Sequence, residues 1–521
     1  MKKLLLNVFA ATVFVAALIA TPRVATAQST FCGVDLQEAH NIFAMRQATI
    51  AEMGEHPVLD RAMRYVPVKI HLVADDAGQG RLTGLNSVLE MLCALNDSYT
   101  PFGVRFYIKD GSFDSGINNT AIYSDPKSNP GTIGLLKDPN AINIFAVNNA
   151  NSPSQPLSQG QVLGYYLSGS SNDFLVFLKS QINGTAGTAP HECGHFFSLS
   201  HTFYGWEGTT YTCTTATPNT VGGRATELSD IPNGNAPYGS KGSNGSTAAD
   251  GFDDTPADYN LGFGWNGCAP YTGCAKDRLG NALVPDNTNF MSYFIGCTNY
   301  HFSTKQQNAI LSNYNSFGRN FLRTKPAPTN DTISAAATLT YPTAGITTPD
   351  YASVAFTWDP TPNATGYLIQ VSNTAAFVAI KDEAFVYNTN TFTSTLLQAN
   401  RNYYWRVRPF NAKHFCTAYT TDHFRTGTVG TSTINEVTEV TLQPNPVEAG
   451  TTARLTITTN KAVDAVLTVA NLNGQKVSSE KLRLEEGTLG VNIATPNLPA
   501  GMYLVSLTTE GGVVSRKLVV Q

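Results

Sequence analysis

Residues 188–201 read TAPHECGHFFSLSH, and the spacing of the histidines in that stretch decides how the first half of the chain is read. His191, Glu192 and His195 form H-E-x-x-H, and His201 follows six residues after His195. On an α-helix His191 and His195 stand one turn apart on one face, so both imidazoles reach a single metal ion. Glu192 is turned by about 100° from His191, near enough to take a proton from a metal-bound water without being a ligand. His201 joins the pair only if the chain bends back after His195. Three neutral nitrogens leave a fourth zinc position open for water, the pattern of a catalytic rather than a structural site. Histidine is scarce, 9 in 521 residues, so the spacing is specific. Thr188 is read as the N-cap of this helix, and Pro190 lies in the first turn, where its missing N–H costs nothing. Phe196, Phe197 and Leu199 give the segment an apolar side to bury.

The stretch resembles the extended zinc motif of metzincin metallopeptidases, H-E-x-x-H-x-x-G-x-x-H. His201-Thr202-Phe203 and the later Asp254-Thr255-Pro256-Ala257-Asp258 are similar to the pappalysin family, in particular its bacterial cytophagalysin-like branch. The family's turn glycine is Ser198 here. A left-handed conformation there costs a non-glycine residue about 1–2 kcal/mol. Asn289-Phe290-Met291-Ser292-Tyr293 resembles the family's Met-turn. That implies Met291 as an apolar floor beneath the histidines and a Tyr293 hydroxyl that bonds the developing oxyanion. Phe294-Ile295-Gly296 lacks the acidic residue that some family members carry before Cys297, which favours apolar or broad specificity over basic residues.

The same resemblance gives Cys32-Gly33 a role as a latency switch, with the Cys32 thiolate filling the open zinc position until a pro-segment is removed. The other reading pairs Cys32 with a cysteine such as Cys93. Cys213, Cys268, Cys274 and Cys297 all follow the zinc helix, in a chain read as exported, and point to two disulfides. The resemblance implies Cys213–Cys274 and Cys268–Cys297. Residues 205–250 are rich in Gly, Asn, Thr and Ser and form a long loop that needs clamping. Calcium is a candidate second clamp, with Asp250, Asp253, Asp254, Thr255 and Asp258 as oxygen ligands; an ordinary acidic turn is the other reading.

Lys2 and Lys3 precede an apolar run over 4–20, and Ala25-Thr26-Ala27 makes a small-residue cleavage site, so 1–27 reads as a secretory signal peptide. A pro-segment is expected over 28–64, cut within 52–64. No later run approaches a membrane span, and a net charge of −4 gives no reason to invoke nucleic acid. The alternating run at 66–73 predicts a strand, with His71 a strand residue rather than a ligand. Helical spacing of Leu85, Val88, Leu89, Leu92 and Leu95 predicts an amphipathic helix over 85–99. Further strands are expected at 104–108 and 141–147, with an edge strand at 164–167. A closing helix over 302–322 has Ser303 as its cap and Ile310, Leu311, Tyr314 and Phe317 on one side.

The fold class expected is therefore an α/β metzincin-like peptidase domain over 65–323, then two all-β sandwiches. After a linker at 324–338, residues 339–428 carry short alternating strands at 354–358, 366–371, 402–408 and 423–426. Trp358, Tyr367 and 403–407 (YYWRV) resemble a fibronectin type III-like sandwich, with Tyr403 as corner tyrosine and the aromatics as core rather than a sugar-binding strip. Residues 437–521 resemble the C-terminal sorting domain of the type IX secretion system, through LQPNP at 442–446, LPAGMYLV at 498–505 and the terminal RKLVV at 516–520. The expectation is a secreted or cell-surface zinc metalloendopeptidase, made as a zymogen, acting on protein or peptide substrates and exported through periplasm and outer membrane. Glu192 is its general base. A surface adhesin or glycan-binding protein with a degenerate peptidase domain is the competing class.

Overall fold

Residues that alternate, or run continuously apolar, build a seven-stranded sheet in the first half of the chain. The computed structural model describes residues 30–521, apart from 56–61, 82–83, 114–115, 153–159, 170–172, 230–243, 266, 330, 428–435, 472–475, 496–497 and 510–511. The signal peptide read at 1–27 lies outside the described residues, as does much of the stretch expected to be cut. The strands are β1 (Thr30–Cys32), β2 (Arg64–Ala74), β3 (Val104–Ile108), β4 (Ile117–Asn118), β5 (Ile142–Val147), β6 (Gln161–Leu167) and β7 (Phe174–Leu178). Their order is β1-β6-β7-β5-β2-β3, with β4 beside β2. All neighbours run parallel except β6 and β7.

Three differences from the sequence reading have physical causes. β7, FLVFL, is buried along its whole length. A strand covered on both faces shows no alternation, so the run carried no periodic signal. β6 is not an edge strand, because β1 pairs along its outer side from Thr30 to Cys32. Residues 28–64 also supply α1 (Leu36–Met53), which packs on α6 (Thr304–Asn315). There Asn313 donates to Thr49 Oγ1 at 2.9 Å, and the Phe317 N–H to Glu52 at 2.8 Å.

Helix α2 (Asn86–Tyr99) buries Val88, Leu89, Leu92, Leu95 and Tyr99, as its spacing requires. Short helices α3 (Thr120–Ser124) and α4 (Pro130–Leu136) follow, then α5 (Thr188–Phe196). His71 lies on β2, stacked on Phe145 and bonded to Asn143 at 3.0 Å, a structural role. The closing helix α6 begins with a capping box between Ser303 and Gln306. Its continuation is a 3₁₀ stretch, Phe317–Arg323, in which Phe317 faces solvent instead of joining Ile310, Leu311 and Tyr314.

The next unit packs a three-stranded sheet (Leu339–Tyr341, Val354–Trp358, Thr391–Ser394) on a four-stranded one (Gly366–Ser372, Ile380–Tyr387, Asn402–Phe410, Thr420–Arg425). Trp358, Tyr367, Tyr403 and Trp405 form its core, and the Tyr403 hydroxyl accepts the Gln398 N–H at 3.0 Å, closing the corner. This sandwich is fixed to the α/β unit. A disulfide joins Cys93 of α2 to Cys416, Phe113 packs on Phe385 and Phe410, and the Ile108 N–H donates to Ala412 O at 2.9 Å. The side chain of α2's N-cap residue, Leu85, gives no capping bond, and Glu383 of the sandwich accepts the N–H groups of Gly84 and Leu85 instead. The last unit is a second sandwich, three strands on four, with its own core around Leu455, Ile457, Val469, Val505 and Leu518. No described helix is long and apolar enough to cross a membrane.

Candidate metal centre

Helix α5 is buried over all nine of its residues. Its N-cap position is Gly187, not Thr188: Thr188 is the first helical residue and its hydroxyl bonds Gln181 at 2.8 Å. Tyr99 of α2 donates to Pro190 O at 3.0 Å, and Arg319 donates to Phe196 O at the helix end. Gly194, between the two helical histidines, is required by packing. A Cβ built there would lie 2.6 Å from Met291 Sδ, so Met291 presses on the backbone of α5, and it is fully buried.

After Phe197 the chain turns through Ser198 at φ 69°. Leu199 N–H bonds back to Gly194 O at 2.9 Å, and His201 returns to the helix. His195 Nε2 then lies 3.1 Å from both His191 Nε2 and His201 Nε2. His191 Nδ1 is 2.5 Å from Phe290 O, and His195 Nδ1 is 2.7 Å from Leu199 O. A carbonyl only accepts, so both Nδ1 atoms carry the proton and both Nε2 atoms present lone pairs. Burial lowers His191 to about 4 and pushes His195 and His201 well below the usual range, the neighbouring imidazoles adding to it. All three rings are neutral at pH 7. The lone pairs of His191 and His195, 3.1 Å apart, repel each other unless a proton or a cation sits between them.

Ser198 is buried and its hydroxyl has no hydrogen-bond partner. Glycine at this φ avoids the Cβ clash and removes the unpaired hydroxyl, so Ser198→Gly should stabilise the α/β unit by about 1 kcal/mol. A raised thermal midpoint with metal content unchanged is the expected result; a lowered midpoint would show that Ser198 does something else.

The fourth member of the cluster is Cys32. It makes no disulfide, so its pairing with Cys93 is excluded; Cys93 bonds Cys416. Cys32 Sγ lies 3.7 Å from His195 Nε2, and all four ligand atoms fall within 4.8 Å of one another. Gly33, the next residue, has no room for a Cβ, which would meet Val162 Cγ1 at 2.7 Å. Tyr293 lies edge-on to His201, and its hydroxyl donates to Cys32 O at 3.1 Å. Glu192 is buried, its Oε2 has no hydrogen-bond partner, and burial raises its carboxyl to about 8.

The expected calcium ligands do not converge. Asp254 accepts from Ser303 Oγ and the Lys305 N–H, both at 2.8 Å, at the start of α6. Asp253 pairs with Lys305, and the Thr255 hydroxyl bonds Asp250. Asp258 accepts from Thr202 Oγ1 at 2.9 Å and Ser292 Oγ at 2.7 Å, tying the segment after His201 to the Met291 turn. Each group already has its own partners, so these residues brace the site. Among the described residues, Cys32, His191, His195 and His201 are the one cluster of such side chains placed to hold an ion. Both expected disulfides, Cys213–Cys274 and Cys268–Cys297, are present in the loop beyond it.

Sequence reading missed Glu207. Its carboxylate oxygen lies 3.6 Å from His201 Nδ1, and both side chains are fully buried. The available sign was an acidic residue directly after the aromatic run Phe203, Tyr204, Trp206.

Residues 441–521 match the family model described as a secretion system C-terminal sorting domain. The chain thus carries a type IX sorting domain, which marks it for export to the cell surface or medium and for contact with that secretion machinery. No curated protein matches the chain. Solved structures with similarity include chicken CNTN1 FN1–FN3 domains, at 11% identity and TM-score 0.15, covering 36% of this chain and 67% of that one. Another is the BSP domain of a biofilm-associated protein, at 13% identity and TM-score 0.14, covering 36% of this chain and 29% of that one. Neither likeness is close enough to carry an argument about fold or activity.

Proposed function

We propose that the chain is an exported zinc endopeptidase of the metzincin type, held latent by Cys32. The observation that carries this reading is the convergence of the His191, His195 and His201 Nε2 atoms, with Nδ1 of the first two tied to main-chain carbonyls. Bond lengths of about 2.0–2.1 Å to nitrogen and 2.3 Å to sulfur in a tetrahedron place nitrogens ~3.3 Å apart and sulfur ~3.6 Å from nitrogen. From His195 Nε2 the observed separations are 3.1 Å to each of the other two imidazole nitrogens and 3.7 Å to the sulfur, and all four ligand atoms lie within 4.8 Å of one another. A zinc ion so held supplies Lewis acidity and lowers the pKa of water toward about 7.

The protein's own groups do the rest. In its ionised form, which burial makes harder to reach, Glu192 with its unpartnered Oε2 would take a proton from the attacking water and return it to the leaving amine nitrogen. The Tyr293 hydroxyl, once released from Cys32 O, donates to the oxygen that gains charge on the scissile carbonyl. The Phe203 ring covers one face of His201, and the buried Met291 side chain packs on α5 at Gly194, between the two helical histidines. Ser198 keeps the left-handed turn, so the missing glycine does not displace His201. That weakens the case for a degenerate domain serving only adhesion.

Latency follows from place. With β1 lying along β6, Cys32 would take the fourth corner of a zinc held by the histidines, and its carbonyl occupies the Tyr293 hydroxyl. Digestion of a denatured protein should be absent for the intact chain and appear after removal of residues before β2. Chelation should stop it and added zinc restore it. Cys32→Ala should leak activity before processing or mature faster. A processed chain that never cleaves sinks the enzyme reading; a Cys32→Ala variant with unchanged maturation and latency sinks only the switch.

A further inference from the structure

His201 differs from the other two histidines in how it is held. His191 and His195 are fixed by the helix and by main-chain acceptors. His201 stands beyond the bend, where no helical turn sets its ring. Phe203 stacks on one face of that ring, with centroids 4.5 Å apart and planes at 11°. Tyr293 meets it edge to face. Beside Nδ1 lies an acidic group, Glu207 Oε1, at 3.6 Å.

Glu207 is placed there by two successive turns. Tyr204 N–H bonds His201 O at 3.1 Å and Trp206 N–H bonds Phe203 O at 2.9 Å, bringing the chain back toward His201. Glu207 Oε2 accepts the Gly205 N–H at 2.7 Å, which aims the other oxygen at the imidazole. That oxygen, Oε1, is buried and has no hydrogen-bond partner of its own. Burying a carboxylate oxygen unpaired is costly. It is understandable where a cation bound at Nε2 would balance the charge and His201 Nδ1, 3.6 Å away and likewise without a hydrogen-bond partner, would close onto it as the donor. A carboxylate behind a metal-bound imidazole fixes the tautomer, orients the ring and makes the ligand nitrogen more basic.

We infer that Glu207 is the positioning residue for the third metal ligand: it holds Nδ1–H of His201 so that Nε2 faces the ion, and supplies negative charge behind it. This rests on the metal reading proposed above. The test uses the full chain as wild type, Glu207→Gln and Glu207→Ala, with zinc affinity measured by competition against a chromogenic chelator. Unfolding of the metal-free proteins is measured alongside.

Glu207→Ala should bind zinc on the order of 10–100-fold more weakly than wild type. Glu207→Gln, the same shape without the charge, should fall between the two. The metal-free midpoints should stay together, which a merely structural residue would not allow. If Glu207→Ala does not fold, Glu207→Gln decides the matter. A Gln variant as tight as wild type overturns the inference, as does an Ala variant that loses metal-free stability but not affinity. A wild-type chain that binds no zinc overturns this inference together with the metal reading; wild-type binding with indifferent variants overturns this one alone.

Discussion

Glu192→Ala should keep one zinc per processed chain and cleave protein substrates roughly 10²–10⁴-fold more slowly, the range that a positioned acid–base group contributes. The separation of the two effects is the point. Glu192 shares helix α5 with His191 and His195 but is absent from the cluster of ligand atoms. Removing its carboxylate leaves three imidazoles whose orientation depends on Phe290 O, Leu199 O and the Ser198 turn. Metal content should therefore survive while proton transfer fails. Zinc content by atomic absorption and cleavage of a denatured protein, on the same preparations, check both halves. Cleavage at the wild-type rate would remove Glu192 from the mechanism, and loss of zinc would show that the carboxylate supports the ligands instead.

Arg319→Ala should destabilise the α/β unit by about 3–5 kcal/mol, the cost of breaking a buried ion pair by deleting one partner. The guanidinium is buried and bonds Asp173 Oδ2 at 2.7 Å, Asn313 Oδ1 at 3.1 Å and the Tyr166 hydroxyl at 3.2 Å. It also donates to Phe196 O at the C-terminal end of α5, where a positive charge complements the helix dipole, and lies over the Phe196 ring at 3.9 Å. One side chain thus joins α5, α6 and strand β6 to the segment before β7. Asp173 and Phe196 O would be left without it. Removing both charges, as Arg319→Met with Asp173→Leu, should cost much less than Arg319→Ala alone. Urea unfolding of the three proteins measures the difference; a single variant within about 1 kcal/mol of wild type would contradict the assignment.

What could be read from the sequence was local. H-E-x-x-H fixes two ligands by the pitch of one helix, Ser303 and Gln306 announce a capping box within four residues, and Tyr403 reaches a backbone group only five residues away. The alternating strands of both sandwiches show on their own segments. What stayed hidden depended on partners distant in the chain. β7 is apolar on both faces and so carries no period. The Cys93–Cys416 bridge spans 323 residues, and matching the four loop cysteines still left four cysteines, Cys32, Cys93, Cys193 and Cys416, with nothing local to pair them. The carboxylates taken for calcium ligands face different partners, because hydroxyls and backbone N–H groups from α6, the Met291 turn and the segment after His201 already meet them. Composition alone cannot tell a cage from a set of braces. The middle sandwich gave no sign in its own pattern that Glu383 completes helix α2.

The most direct measurement is X-ray absorption at the zinc edge on the intact, unprocessed chain. The account predicts one zinc per chain with three nitrogens at about 2.0–2.1 Å and one sulfur at about 2.3 Å, the sulfur disappearing in Cys32→Ala and one nitrogen in His201→Ala. A chain without zinc, or a first shell that His201→Ala leaves unchanged, would contradict it.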